Sequence, residues 1–412
     1  MLIVQASARP LRKRSRPRIG LAVAGGGPIG GMYELGALRA MDEALDGLDM
    51  TNFDVYVGVS SGAFLASGLA NRLDTAEMCR IFLTDITDQE RFRPEIFLRP
   101  AFGEYAKRLA AIPRTLFGWL GDLATHPLET NFTDVFGRLG ALIPTGLFDN
   151  NEIESFLRKL FETHGRTNDF RELARKLYVI GVELDTGATV RFGAPGLDHI
   201  PISRAIQASS ALPGLYPPVE IEGKFYVDGA LRRTLHASVA LEAGAELVLG
   251  INPLVPFDAA LATRNLHKAP ESLTENGLPA VLSQTFRTML KSRMQVGLDK
   301  YQKQFERADL MVFEPSPDDV EMFFTNPFSY TMRQRVAEHA YRATLDDLAS
   351  RYDEVAPIFA RHGITLRRDV IDDPARNLMD GLGRRPRRTD VTARLRHALD
   401  DLDRAIVERK RR

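Results

Sequence analysis

Apolar residues gather in short runs that stop at glycine, and longer stretches with helical spacing separate those runs. Ile19–Ala24 ends at three glycines, as a buried strand does. Met32 to Leu45 carries apolar residues at helical spacing, Val55–Val59 reads as a second strand, and a small-residue helix is expected from Ser61 to about Arg72. Strand, glycine turn, helix, strand, turn, helix predicts a parallel sheet with crossover helices.

From about Thr84 to Thr145 the pattern loosens, with Phe92, Phe97, Phe102, Trp119 and Phe136 interleaved with prolines and arginines. A lid over a site and an ordinary helical subdomain fit this stretch equally well. Regular patterning returns as a helix at Asn151–Phe161 and a hairpin of Leu177–Leu184 with Thr189–Phe192. A short helix at Ser203–Ser210, a strand pair at Val219–Ile221 and Lys224–Val227, and a buried strand at Glu246–Asn252 follow. Ala280–Glu306 and Pro327–Arg351 read as long helices. The arginine-rich end carries Leu395, Leu399, Leu402 and Ile406 on one helical face.

The loop Gly25-Gly26-Gly27-Pro28-Ile29-Gly30 follows a strand and opens a helix. It satisfies the GxGxxG spacing of a dinucleotide site, the basis of a Rossmann-type oxidoreductase reading. That reading needs an acid at the end of the next strand to hold a ribose, and Val55–Val59 ends in glycine and serine instead. The loop can equally form an oxyanion hole. Glycine amides at a helix N-terminus converge on one spot, and each donor lowers an acyl-transfer barrier by roughly 3 kcal/mol. A bare strand-to-helix turn is the remaining alternative.

Gly58-Val59-Ser60-Ser61-Gly62 fits GxSxG at a strand-to-helix junction, one strand–helix unit after the glycine loop. A nucleophile on so sharp a turn has strained dihedrals and needs tiny flanks, which Gly58 and Gly62 supply. The register puts Ser60 at the tip and Ser61 in the helix start. A serine also needs a base. None of the eight histidines follows a clear strand end, and His236 reads as surface or structural. Asp228 ends an apolar strand just before Gly229. It can act as base if an apolar pocket raises its pKa, although an aspartate–glycine step is also an ordinary turn.

Together these residues resemble the patatin-like phospholipase family. That family combines a glycine-triplet loop, a GxSxG elbow and a late Asp-Gly step, here Gly25 to Gly27, Gly58 to Gly62 and Asp228-Gly229. The segment Ala208 to Val219 also looks like the family's stretch before its aspartate. Two positions depart from the pattern: Ile29 stands where the family often has a basic residue, and Ala230 is a common variant of the third position of the Asp-Gly step. The resemblance implies a three-layer α/β/α sandwich around a mostly parallel sheet. It also implies lipid acyl-ester hydrolysis through an acyl-serine, with a Ser60–Asp228 dyad, an oxyanion hole from Gly25, Gly26 and Gly27, and no metal or cofactor. A catalytically idle lipid-binding protein is the alternative. The expected division is a basic arm over 1–18, the catalytic domain over 19–351 with 84–145 as candidate lid, and a helical arginine-rich extension over 352–412.

Composition refines this only a little. The 412 residues carry 54 basic and 54 acidic side chains, so net charge argues for no partner, nucleic acid included. The single Cys79 cannot form an internal disulfide and fits a reducing, cytoplasmic setting. The clusters Arg9 to Arg18 and Arg384 to Arg412 read either as peripheral membrane contacts or as solubilising tails.

Overall fold

Strands such as Leu247–Ile251 are apolar at every position because both of their faces are covered, the pattern of a parallel sheet clothed by helices. The computed structural model describes residues 1–10, 16–84, 98–103, 105–106, 110, 144–163, 165–266, 272–325, 332–380, 382 and 399. Most of the 84–145 segment, the cations Arg12, Lys13 and Arg14, and the arginine-rich C-terminus apart from Leu399 lie outside these residues.

The strands are β1 (Leu2–Gln5), β2 (Ile19–Val23), β3 (Leu45–Asp46), β4 (Val55–Val59), β5 (Lys176–Glu183) and β6 (Thr189–Phe192). They continue with β7 (Val219–Ile221), β8 (Lys224–Asp228), β9 (Leu247–Ile251), β10 (Asp309–Phe313) and β11 (Thr365–Leu366). Nine form one sheet in the order β1-β10-β9-β2-β4-β5-β8-β7, with β6 also on β5; β3 and β11 pair separately. The centre from β10 to β5 is parallel and the margins are antiparallel.

Alternation along the strands builds two cores. Leu21, Val23, Tyr56 and Val179 face one side; Ala22, Val55, Val57, Val59 and Ile180 face the other. The first side is covered by α1 (Gly27–Ala44), α2 (Ser61–Ala70), α3 (Thr75–Leu83), α4 (Asn151–Phe161) and α5 (Ile202–Ser209). The second is covered by α6 (Ala237–Glu242) and by Met294, Leu298 and Tyr301 of α7 (Gly277–Gln304). Helices α8 (Arg333–Ser350) and α9 (Tyr352–Arg361) return to the first side, completing the three expected layers. Helix α1 crosses α8 in backbone contact: a Cβ at Gly36 would lie 2.1 Å from the Ala337 carbonyl oxygen.

Several elements differ from expectation. Helix α1 starts at Gly27 rather than Met32, because Pro28 suits a first turn; Gly27 itself takes φ 65°, a conformation open to glycine. Leu2–Gln5, expected in a basic arm, is an edge strand antiparallel to the unforeseen β10. Arg9 pairs with Glu306, and Arg16 donates to the Asn52 carbonyl at 3.1 Å. Part of the expected extension belongs to the main core, where Phe359, Leu366, Val370 and Leu378 are buried. Among the described residues no helix is long and apolar enough to cross a membrane.

Candidate active site

A cavity of about 370 Å³ opens beyond the carboxyl ends of β2, β4 and β9, where the chain order of the sheet reverses. Open parallel sheets bind their ligands at such a switch point. Gly25, Gly26, Gly27, Ser60, Ser61 and Asp228 all line it. Most of the remaining wall is apolar, including Met32, Leu35, Phe64, Leu65, Phe82, Ile153 and Leu215.

Ser60 sits between β4 and α2 with φ 49° and ψ −121°, a left-handed conformation that side chains other than glycine rarely adopt. Its surroundings hold it there. The Ser60 amide donates to Ser209 Oγ at 2.9 Å, and that hydroxyl donates to the Ile180 carbonyl at 2.6 Å. The Gly62 amide donates to the Ala24 carbonyl at 3.1 Å. Gly62 passes so near β2 that a Cβ there would lie 2.3 Å from the same oxygen. The turn thus presents Ser60 to the cavity with only 7 % of its surface exposed.

Asp228 ends β8 and is 3 % exposed. Its amide donates to the Ala211 carbonyl at 3.0 Å, and its Oδ1 accepts from the Ala230 amide at 2.8 Å. Burial pushes the carboxyl from 3.8 up to about 6, with hydrogen bonding from the Ala230 amide and then the Ser60 side chain pulling it partly back. A carboxyl of this pKa is ionised at neutral pH yet basic enough to accept a proton.

The glycine loop lies against the serine, since a Cβ at Gly25 would come within 3.0 Å of Ser60 Cβ. Its three amides are not equivalent. The Gly26 amide donates to Ser61 Oγ at 2.9 Å. Among the described residues the Gly25 and Gly27 amides meet no acceptor. Ile29, which stands in place of the expected basic residue, is buried in the core.

Among the described residues no histidine lines the cavity. His126, His164, His267 and His397 lie outside them. His236, expected at the surface or in a structural role, is 5 % exposed, and burial lowers its pKa to about 4. Sequence reasoning missed Ser209 as the anchor of Ser60 and Glu34 behind Ser61, because each bond joins distant segments. It also missed the wall contributed by Ser283, Phe286 and Arg287 of α7. No group of side chains suited to a metal ion occurs among the described residues.

A family model for patatin-like phospholipase matches residues 21–241, more than half of the chain. Among solved structures, the chain is similar to VipD from Legionella pneumophila, with 13 % identity, coverage of 84 % of this chain and 86 % of that one, and a TM-score of 0.31. It is also similar to human GIVD cytosolic phospholipase A2 in complex with methyl gamma-linolenyl fluorophosphonate, at 13 % identity, 86 % and 61 % coverage and a TM-score of 0.33. Full-length ExoU with SpcU from Pseudomonas aeruginosa matches at 14 % identity, 94 % and 75 % coverage and a TM-score of 0.26. Likenesses this distant carry no argument about the site. By the family match, the chain belongs to the patatin-like phospholipases and is a lipid acyl hydrolase.

Proposed function

We propose that the protein cleaves acyl esters of lipids through an acyl-serine intermediate, with Ser60 as nucleophile and Asp228 as its base. The observation that carries this reading is one apolar cavity lined both by a strained serine and by a buried carboxyl whose pKa stands at about 6. Ser60 Oγ attacks the ester carbonyl while its proton passes to Asp228. The negative oxygen of the tetrahedral intermediate is stabilised by the amides of Gly25 and Gly27, helped by the N-terminus of α2. Collapse breaks the ester C–O bond, and the leaving alcohol takes the proton from Asp228. The same carboxylate then removes a proton from water, which attacks the acyl-serine; collapse breaks the acyl–Oγ bond, Asp228 returns the proton to Ser60 Oγ, and the fatty acid is freed. Phe64, Leu65, Phe82 and Leu215 give the acyl chain an apolar wall.

Two measurements test this. A fluorophosphonate probe should label the wild-type protein and leave Ser60→Ala unlabelled. A panel of p-nitrophenyl esters, lysophospholipids, phospholipids and triacylglycerols should give turnover that the Ser60→Ala and Asp228→Asn variants lack. Undiminished turnover in either variant rules out the dyad. Labelling without turnover on any ester favours an idle lipid-binding protein.

A further inference from the structure

A polar relay ties the glycine loop to the start of α2 and to α1. The Gly26 amide donates to Ser61 Oγ at 2.9 Å, and Ser61 Oγ in turn donates to Glu34 Oε1 at 3.4 Å. Glu34 sits in α1, is completely buried, and its Oε2 finds no hydrogen-bond partner among the described residues. Burial, opposed by the single bond from Ser61, holds its carboxyl well above the usual carboxylate range.

A carboxyl in this position works against the fold. Burying a half-satisfied acid costs free energy that an apolar side chain of similar size would not. Its neighbours Met32, Tyr33, Leu35, Ala37 and Leu38 are all buried apolar residues, so nothing about α1 calls for an acid here. Among the described residues the side chain of Glu34 has Ser61 as its only hydrogen-bond partner, the residue directly after the proposed nucleophile. Ser61 has little freedom of its own, since a Cβ at Gly31 would already stand 3.3 Å from Ser61 Cβ.

We infer that Glu34 and Ser61 are positioning residues for the hydrolysis, clamping the Gly26 amide behind the loop so that the Gly25 and Gly27 amides face the oxyanion. The inference rests on the reading of Ser60 as nucleophile. The geometry explains why one residue does both tasks. Ser61 is tied to Ser60 by the chain and to Gly26 by its hydroxyl, so donors and nucleophile keep one register. Without the hydroxyl, the Gly26 amide at the start of α1 loses its acceptor. The loop then turns that amide toward the cavity and rotates its neighbours away.

The test compares Glu34→Leu, Glu34→Gln and Ser61→Ala with the wild-type protein, reading kcat, KM and Tm on one soluble ester. Glu34→Leu should keep or raise Tm yet lower kcat roughly tenfold at unchanged KM, a fraction of the effect of deleting an oxyanion donor. Glu34→Gln, which can still bond Ser61, should recover most of kcat. Ser61→Ala removes a single oxygen and should repeat the loss if the leucine variant does not fold. Full kcat in Ser61→Ala or Glu34→Leu overturns the inference, as does a kcat loss matched by a fall in Tm. Ser60→Ala serves as the separating control. If it retains activity, the proposed nucleophile is wrong; if it is inactive while Ser61→Ala runs at full rate, only the clamp is wrong.

Discussion

Asp228 pairs with Gly181 across the antiparallel β5–β8 ladder, one rung beyond the parallel pairing of Val59 with Ile180. Ser60, the next residue after Val59, therefore stands level with Asp228 on the opposite side of β5. Between them lies a glycine with no side chain to intervene. The sheet itself, rather than a flexible loop, sets the spacing of the proposed dyad, and such rigid placement favours catalysis.

Replacing Asp228 by Asn should cut kcat by at least about a thousandfold, since the base is lost and the nucleophile stays largely protonated. The same change should stabilise the fold. The folded carboxyl, at about 6, binds its proton more tightly than the unfolded one at 3.8, so the native aspartate loses stability as pH rises through that window. The loss is complete above about 6 and amounts to roughly 3 kcal/mol. Thermal melts should show the asparagine variant more stable at pH 8 and level with wild type at pH 3.5. A variant less stable at pH 8 contradicts this account.

The pH dependence of kcat/KM should follow the same carboxyl. Activity should fall about tenfold per pH unit below about 6 and be flat above it, because the base works only when ionised. A limb centred near 4 would show that Asp228 is not buried as described.

Ser209→Ala removes the hydroxyl that joins the Ser60 amide to the Ile180 carbonyl. Both groups are buried, and leaving them unpaired should cost about 1–3 kcal/mol. The strained turn should relax as well, so kcat should fall further than the stability loss explains. Urea melts together with kcat measured at low temperature separate these effects, and an unchanged kcat would remove Ser209 from the support of the nucleophile.

Gly62→Ala should be far worse than an ordinary glycine-to-alanine change. The added methyl would sit 2.3 Å from the Ala24 oxygen and 2.5 Å from that of Val23. Fluorophosphonate labelling should disappear even in whatever fraction remains folded by circular dichroism. Normal labelling would mean that the turn can open away from β2.

How much of this could be read from the chain depended on whether the signal was local. Val55–Val59 was recognisable because burial on both faces demands apolar residues at every position, and Ser60 because a sharp turn needs small flanks on either side. The pairing of β1 with β10 was not recognisable, since Leu2–Gln5 is too short to show a period and its partner lies some 300 residues away. Ser61 could be placed only as a rival hydroxyl in the helix start. Its role as acceptor for Gly26 depends on two segments 35 residues apart meeting, and that of Ser209 on segments 149 apart.

Helix α7 lies outside the stretch that the family model matches, yet Ser283, Phe286 and Arg287 close one side of the cavity. The proposed reaction machinery and part of the cavity wall thus occupy separate parts of the chain. Selection can remodel that wall, and so shift which acyl chains are accepted, while every residue proposed to make or break a bond stays untouched. For the same reason, a fragment cut at the end of the matched segment would retain Ser60 and Asp228 but not the whole enclosure around them.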